Sequence, residues 1–312
     1  MDIPSIEALE HNLRETLVLK AEELAVLAGG EVGARLVAEL TGVNDVSGVP
    51  TDWFASDVQL ARIDLDRLAI TACVRDLHDR LLARSLGMRV GDGWLSCDEI
   101  EQEALDPIEQ FLSSLSHVAL AAYDWTSSRN GPLKQLLHLG KAWHHLLEAL
   151  DAGSQGDFTS EPLTVTDVAN LAGIEERSLR NRVGKKGPLR SVEQYRQRKS
   201  AVSQRGFVAI NRFDAIDWLL SRRGFTLGSL RPGILASRLE QISDPATRAR
   251  AALISGMALG QRLELIANET GCALADVRLL ADGNGQFAAI DPVVTYVTNF
   301  DRARLSNTAP AE

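Results

Sequence analysis

The stretch VTDVANLAGIEERSLRNRV, Val165–Val183, leaves the chain little freedom. Apolar residues recur at helical spacing on both sides of Gly173, so two short helices have to meet at a glycine turn. Steep packing of such a pair needs a small residue on the first helix, and Ala169 stands four residues before the glycine. Val168, Ala172, Ile174 and Leu179 make the inward face, and Thr164 or Thr166 caps the first helix. The second helix is left presenting Glu176, Arg177, Ser178, Arg180 and Asn181. Arginine pairs with guanine edges and asparagine with adenine edges, which is the chemistry of reading a DNA major groove.

The flanking sequence adds to this. GFVAINRFDAIDWLLSRRGF, Gly206–Phe225, reads as a short strand, an Asn211 cap and an amphipathic helix. Its Phe213, Ile216, Trp218, Leu219 and Leu220 are expected to pack beneath the two helices. Between the second helix and that strand lies a basic segment suited to phosphate contact. Its candidates are Arg182, Lys185, Lys186, Arg190, Arg196, Arg198, Lys199 and Arg205. The chain as a whole carries a formal charge of −9, an odd balance for a partner of a polyanion. Yet residues 1–160 hold 12 Lys/Arg against 26 Asp/Glu, whereas residues 176–223 hold 13 against 4. Steering depends on the field at the binding face, so the acidic total is no objection.

On these residues the segment resembles the helix-turn-helix of the lactose-repressor family and of winged helices of the MerR and excisionase type. The resemblance covers about residues 161–225 and implies a winged helix-turn-helix with short β wings that binds double-stranded DNA. Arg182 departs from the pattern, which prefers an apolar residue there, and Val183 stands in for it.

The template fits again, more weakly, over 260–303. In LELIANETGCALADVRLL, Ala267 and Gly271 are four apart, with Ile266, Cys272 and Val277 inward. QFAAIDPVVTYVTNFDR then echoes the strand–cap–helix order, with Asp291 as cap and Pro292 in the first turn. This copy presents Leu274, Asp276 and Arg278 where the first presents arginine and asparagine, so packing or dimerisation suits it better than DNA.

The first 150 residues carry four segments with apolar residues at helical spacing, beginning near Ser5, Leu65, Asp106 and Pro132. The expected organisation is a mainly α chain. A helical dimerisation or regulatory domain occupies 1–150, a small-residue linker 151–162, the winged helix-turn-helix 163–225, and a degenerate second copy 226–312. GFVAI and GQFAAI are the clearest strand candidates.

Other chemistry finds little support. Cys73, Cys97 and Cys272 fit neither a disulfide framework nor a zinc motif. His138 and His145 could share a helical face, with His78 and Cys97 as further ligands, but the spacing matches no metal signature. The acidic pairs read as solvated charge, and no nucleophile stands beside a base. The expectation is therefore a protein that is not an enzyme and uses no metal or cofactor. No apolar run approaches the roughly 18 residues of a membrane span, and the N-terminus lacks a signal-peptide pattern, so a cytoplasmic, membrane-free protein is expected. The expected partners are double-stranded DNA, a second copy as homodimer, and a protein for the acidic half. The expected role is bacterial transcriptional regulation. Its rivals are plasmid or phage maintenance (partition, excision or replication initiation) and a protein-binding adaptor.

Overall fold

The computed structural model describes residues 2–42, 60–85, 101–113, 131–159, 163–184, 187–192, 208–227, 233–284 and 290–308. Among these the chain is mainly helical, and no helix is long and apolar enough to cross a membrane. It divides into two compact units, Asp2–Leu82 with Asp98–Lys141, and Ala142–Glu312 with Ala83–Cys97.

The first unit contains α1 (Ile6–Ala28), α2 (Gly30–Thr41), α3 (Ala69–Ser85, but for its last residues), α4 (Asp106–Ser113) and the opening half of α5 (Pro132–Ser154). Each of the four segments read from apolar spacing contains a helix, α1, α3, α4 and α5, and residues 114–125 of the third lie outside the described residues. Leu9, Leu13, Leu77, Leu105, Ile108, Leu133 and Leu136 form its core. Gly140 lets α5 lie close to its neighbours, since a Cβ there would stand 2.7 Å from Leu105 Cδ2 and 3.2 Å from Leu77 Cδ1. Asn12 works from both ends of its amide. Its Oδ1 accepts the Leu133 N–H at 3.2 Å and its Nδ2 donates to Glu15 Oε2 at 3.0 Å.

The second unit takes the rest of α5, then α6 (Val165–Ala172), α7 (Glu176–Arg180), α8 (Arg212–Leu220), α9 (Leu235–Glu240) and α10 (Pro245–Ala258). It ends with α11 (Leu263–Thr270), α12 (Leu274–Ala281) and α13 (Ile290–Thr308). Local sequence sets several starts. Asn211 Oδ1 accepts the Phe213 and Asp214 N–H groups at 3.0 and 3.2 Å and opens α8. Asp244 Oδ2 accepts the Thr247 N–H at 2.8 Å, with Pro245 in the first turn of α10.

The organisation departs from the expected one in two places. The stretch 151–162 does not begin as a linker: α5 runs through Ser154, and Gly153 and Ser154 are buried. Small residues serve close packing here, since a Cβ on Gly153 would stand 2.6 Å from Ile254 Cδ1. Arg238 Nη1 donates to Ser154 Oγ at 3.1 Å, and Arg212 Nη1 to the Ala149 carbonyl at 3.3 Å. The division between units accordingly falls at Lys141/Ala142 rather than after residue 150.

The regions 163–225 and 226–312 also belong to one compact unit rather than two. Phe158 joins them, stacked on Phe213 at 6.0 Å with the Arg250 guanidinium 3.9 Å from its ring centre.

No strand occurs among the described residues, only the isolated bridges Thr164↔Ala209, Val183↔Leu189 and Ser191↔Ile210. Residues 208–211 pair on both sides, with Ile210 N–H donating to Leu163 O at 2.9 Å and Val192 N–H to Ala209 O at 3.0 Å. Because Asn211 starts α8 at once, each ladder ends after a residue or two. Of GQFAAI, residues 285–289 lie outside the described residues and Ile290 is already helical. Asp291 therefore sits inside α13 and does not cap it.

Candidate nucleic-acid interface

A capping box opens α6. Thr164 Oγ1 accepts the Asp167 N–H at 3.1 Å while Asp167 Oδ2 accepts the Thr164 N–H at 3.0 Å. His145 Nδ1 stands 3.1 Å from the other oxygen, Asp167 Oδ1. Burial pushes the Asp167 carboxyl up, but the hydrogen bonds from His145 and Thr164 outweigh it and hold the group below the usual carboxylate range. The helix ends at Gly173, whose φ of 63° and ψ of 40° are the left-handed conformation that favours glycine. The Ile174 N–H then donates to the Ala169 carbonyl at 3.1 Å, and α7 begins two residues later. Val168 and Leu179 are buried as expected, while Ala172 and Ile174 are only half-buried. Leu171, which the helical pattern did not single out, is fully buried.

Around Leu179 the outward positions are Arg177, Ser178, Arg180 and Asn181, all exposed, with Arg182 exposed just beyond. Glu176 is half-buried. Its Oε1 accepts Arg180 Nε at 2.8 Å and its Oε2 accepts Thr166 Oγ1 at 3.0 Å, so it ties α7 to the first turn of α6 and orients Arg180. An exposed pair of this kind contributes about 0.3–0.5 kcal/mol, little enough for Arg180 to change partner.

The same turn is built a second time, 98 residues further on. Gly271 has φ 69° and ψ 12°, and the Cys272 N–H donates to Ala267 O at 3.1 Å. The residues that start the second helices, Glu175 and Ala273, have φ/ψ of −63°/137° and −66°/138°. The likeness reaches back to the preceding helix, which sequence reading missed. At the end of α5, Gly156 has φ 87° and the Asp157 N–H donates to Ala152 O at 2.9 Å. At the end of α10, Gly260 has φ 86° and the Gln261 N–H donates to Gly256 O at 2.9 Å. The signal was available in Gly156 and Gly260, each a short distance before its pair of helices.

This repeat permits a residue-by-residue comparison. Arg177, Ser178, Arg180 and Asn181 correspond to Ala275, Asp276, Arg278 and Leu279, and all eight are exposed. The backbone geometry is shared, whereas the hydrogen-bonding chemistry is concentrated in the first copy.

The phosphate candidates divide. Arg182 is exposed, but Lys185, Lys186, Arg196, Arg198, Lys199 and Arg205 lie outside the described residues. Arg190 is committed elsewhere. Its Nε donates to Asp214 Oδ2 at 2.6 Å, and its Nη2 to Asp282 Oδ1 at 3.0 Å. Asp214 first and Asp282 second hold the guanidinium more firmly protonated than usual. Sequence reading placed Arg190 on phosphate because its partners, 24 and 92 residues away, leave no local pattern.

The histidines considered as ligands stand apart in kind. His145 is engaged with Asp167, and burial, then Lys134 and Lys141, make the His138 ring harder to protonate. Among the described residues no three His, Cys, Asp or Glu side chains gather as a metal site, and Cys97 lies outside them. No family model matches the chain, and no curated protein or solved structure does either.

Proposed function

We propose that this chain binds double-stranded DNA in a sequence-specific manner, with α7 entering the major groove as the second helix of a winged helix-turn-helix. One observation carries the reading. Of two copies with the same turn, only the first presents two arginines, a serine and an asparagine at its four outward positions. Those groups pair with guanine and adenine edges, whereas alanine and leucine at the matching positions of the second copy offer none. Val192 and Ala209, which bracket most of the basic segment in the sequence, are paired through their backbones. Arg196, Arg198, Lys199 and Arg205 are assigned to phosphates on sequence alone.

Transcriptional regulation in a bacterium, as a homodimer on two half-sites, is the role implied by the helix-turn-helix resemblance. The deciding experiment selects bound duplexes from a random pool with the full-length protein, then measures affinity against salt. A preferred sequence with salt-sensitive binding supports the reading. Absence of any salt-sensitive duplex binding sinks it and leaves a protein-contact role, for which the exposed Leu279 of the second copy is the specific support.

A further inference from the structure

Four of the seven large hydrophobic side chains exposed among the described residues lie on one helical hairpin of the first unit. Leu24 and Leu27 stand near the end of α1 and are 43% and 83% exposed, and Val32 and Leu36 stand on α2 at 50% and 36%. Single exposed leucines are ordinary, whereas a contiguous group marks a surface that takes a partner.

The hairpin geometry makes the group contiguous. α1 passes into α2 through Gly29, and Gly29 and Gly30 both take positive φ, 67° and 49°, which lets the chain reverse at once. The helices therefore run antiparallel, with Ala21 packed with Val37. At about 100° per residue, Leu24 and Leu27 stand roughly 60° and 120° round α1 from Ala21. Leu40, Leu36 and Val32 stand roughly 60°, 100° and 140° round α2 from Val37, in the same sense. Between antiparallel helices, equal senses of rotation lead to the same side. The four exposed residues thus form one apolar strip across both helices, continued by the half-buried Leu40.

Charge decides what covers the strip. Along its edges α1 carries Lys20 and Glu23, and α2 carries Arg35 and Glu39. The Lys20 amine lies 4.9 Å from the Phe111 ring centre, while Arg35 and Glu39 are exposed and have no ion-pair partner among the described residues. A second hairpin, rotated by half a turn about an axis parallel to the helices, lays α1 of each copy on α2 of the other. Residues at one level within the hairpin, as Ala21 and Val37 are, then face each other across the interface. Leu27 comes opposite Val32 and Leu24 opposite Leu36 of the second copy. At the edges Lys20 comes opposite Glu39 and Glu23 opposite Arg35, each pair occurring twice by symmetry. A partner of a single charge sign would set one charge on each helix against its like. The same face of a second copy matches all of them.

We propose that this face joins two copies of the chain into a symmetric dimer, with the two hairpins packed as four helices. α2 is only 12 residues long, so the interface is at the small end of those that hold, and the dimer dissociates in the micromolar range. Pairing itself is independent of the DNA reading. Its consequence rests on that reading, because two reading helices held together gain on one duplex with two half-sites.

Sedimentation of the full-length protein without DNA, from low micromolar to a few hundred micromolar, tests the face. The expected result is a reversible monomer–dimer equilibrium. L27E/V32E changes two exposed positions and should stay folded by circular dichroism while dimerising about tenfold more weakly or worse. E23R and R35E should each weaken dimerisation severalfold, and E23R/R35E should restore it, a rescue that a merely structural role would not give. This charge series keeps the test open if L27E/V32E misfolds. A wild type that stays monomeric, a folded L27E/V32E that dimerises as well as wild type, or a double charge reversal that restores nothing overturns the proposal. Assembly beyond the dimer does so too, because pairing by a half-turn uses up the face. A monomer that binds duplex DNA leaves the DNA reading standing while this face falls. A dimer that binds none sinks that reading and leaves the face in place.

Discussion

Arg190 and Asp282 meet across 92 residues of chain through Nη2 to Oδ1 at 3.0 Å, with Asp214 held by the same guanidinium at 2.6 Å. One side chain therefore links the paired segment 189–192, the first turn of α8 and the residue that ends α12. Replacing Arg190 by alanine leaves the Asp214 carboxylate, which is almost wholly covered, with the backbone N–H of residue 190 but without the guanidinium. Arg190 is itself substantially exposed, so the expected loss is about 1–3 kcal/mol, below that of a fully buried pair and above that of a surface pair. Arg190→Lys keeps the charge without the fork and should fall between. Urea denaturation measures both, and a loss under about 0.5 kcal/mol for alanine would mean that water replaces the pairs freely.

Asp167 gives the acid limb of the stability curve a specific contributor. Its carboxyl lies below the ordinary 3.8 in the folded chain, so its stabilisation is present in full above that value and is lost as pH falls through the folded pKa. Asp167→Asn keeps a cap of similar shape but cannot titrate. The stability gap between wild type and D167N should therefore shrink below about pH 4, where Asp167 takes up its proton. A gap unchanged down to pH 2 would show that the charge on Asp167 contributes nothing.

Gly173 and Gly271 allow a controlled comparison, because they hold matching left-handed conformations in the two copies. An alanine at either position should cost about 1–2 kcal/mol, from the strain that a Cβ brings to that region. Only Gly173→Ala should also lower duplex affinity under conditions where both variants remain folded. Equal affinity losses from the two would place both turns against DNA.

Much of the second unit was legible because its signals are local. The Ala169–Gly173 and Ala267–Gly271 spacings are short-range requirements of a tight turn, and the structure builds both turns. Thr164 and Asn211 cap their helices through groups two or three residues away. The failures have the opposite character. Gly153 and Ser154 look like linker residues until Ile254, a hundred residues on, is seen to pack on the glycine. Arg190 looks like any cation in a basic run until Asp282 comes within reach. Composition marks where a side chain is free to go, and long-range packing decides where it goes.

Arg196, Arg198 and Lys199 lie outside the described residues and belong to the basic segment assigned to phosphates. Neutralising the three together should weaken binding to all duplexes alike. The slope of log affinity against log salt should flatten by up to about three units, roughly 0.9 for each phosphate left without its cation. A folded triple variant with the wild-type slope removes this segment from the DNA.

The sharpest contrast sets one copy against the other. Arg177 and Asn181 occupy the outward positions that Ala275 and Leu279 occupy in the repeat, and all four are exposed. Making the first copy resemble the second, with Arg177→Ala and Asn181→Leu together, exchanges exposed side chains and should leave stability within about 0.5 kcal/mol. Sequence selectivity should suffer far more. Each base edge left unread costs about 1–3 kcal/mol at the preferred site and much less at others, so affinity falls toward the non-specific level and base choice relaxes. Arg278→Ala in the second copy serves as the control, and its affinity and selectivity should match wild type. Selection from a random duplex pool reads both quantities for all three proteins. Unchanged selectivity in the double variant takes α7 off the bases, and a matching loss in Arg278→Ala brings α12 onto them.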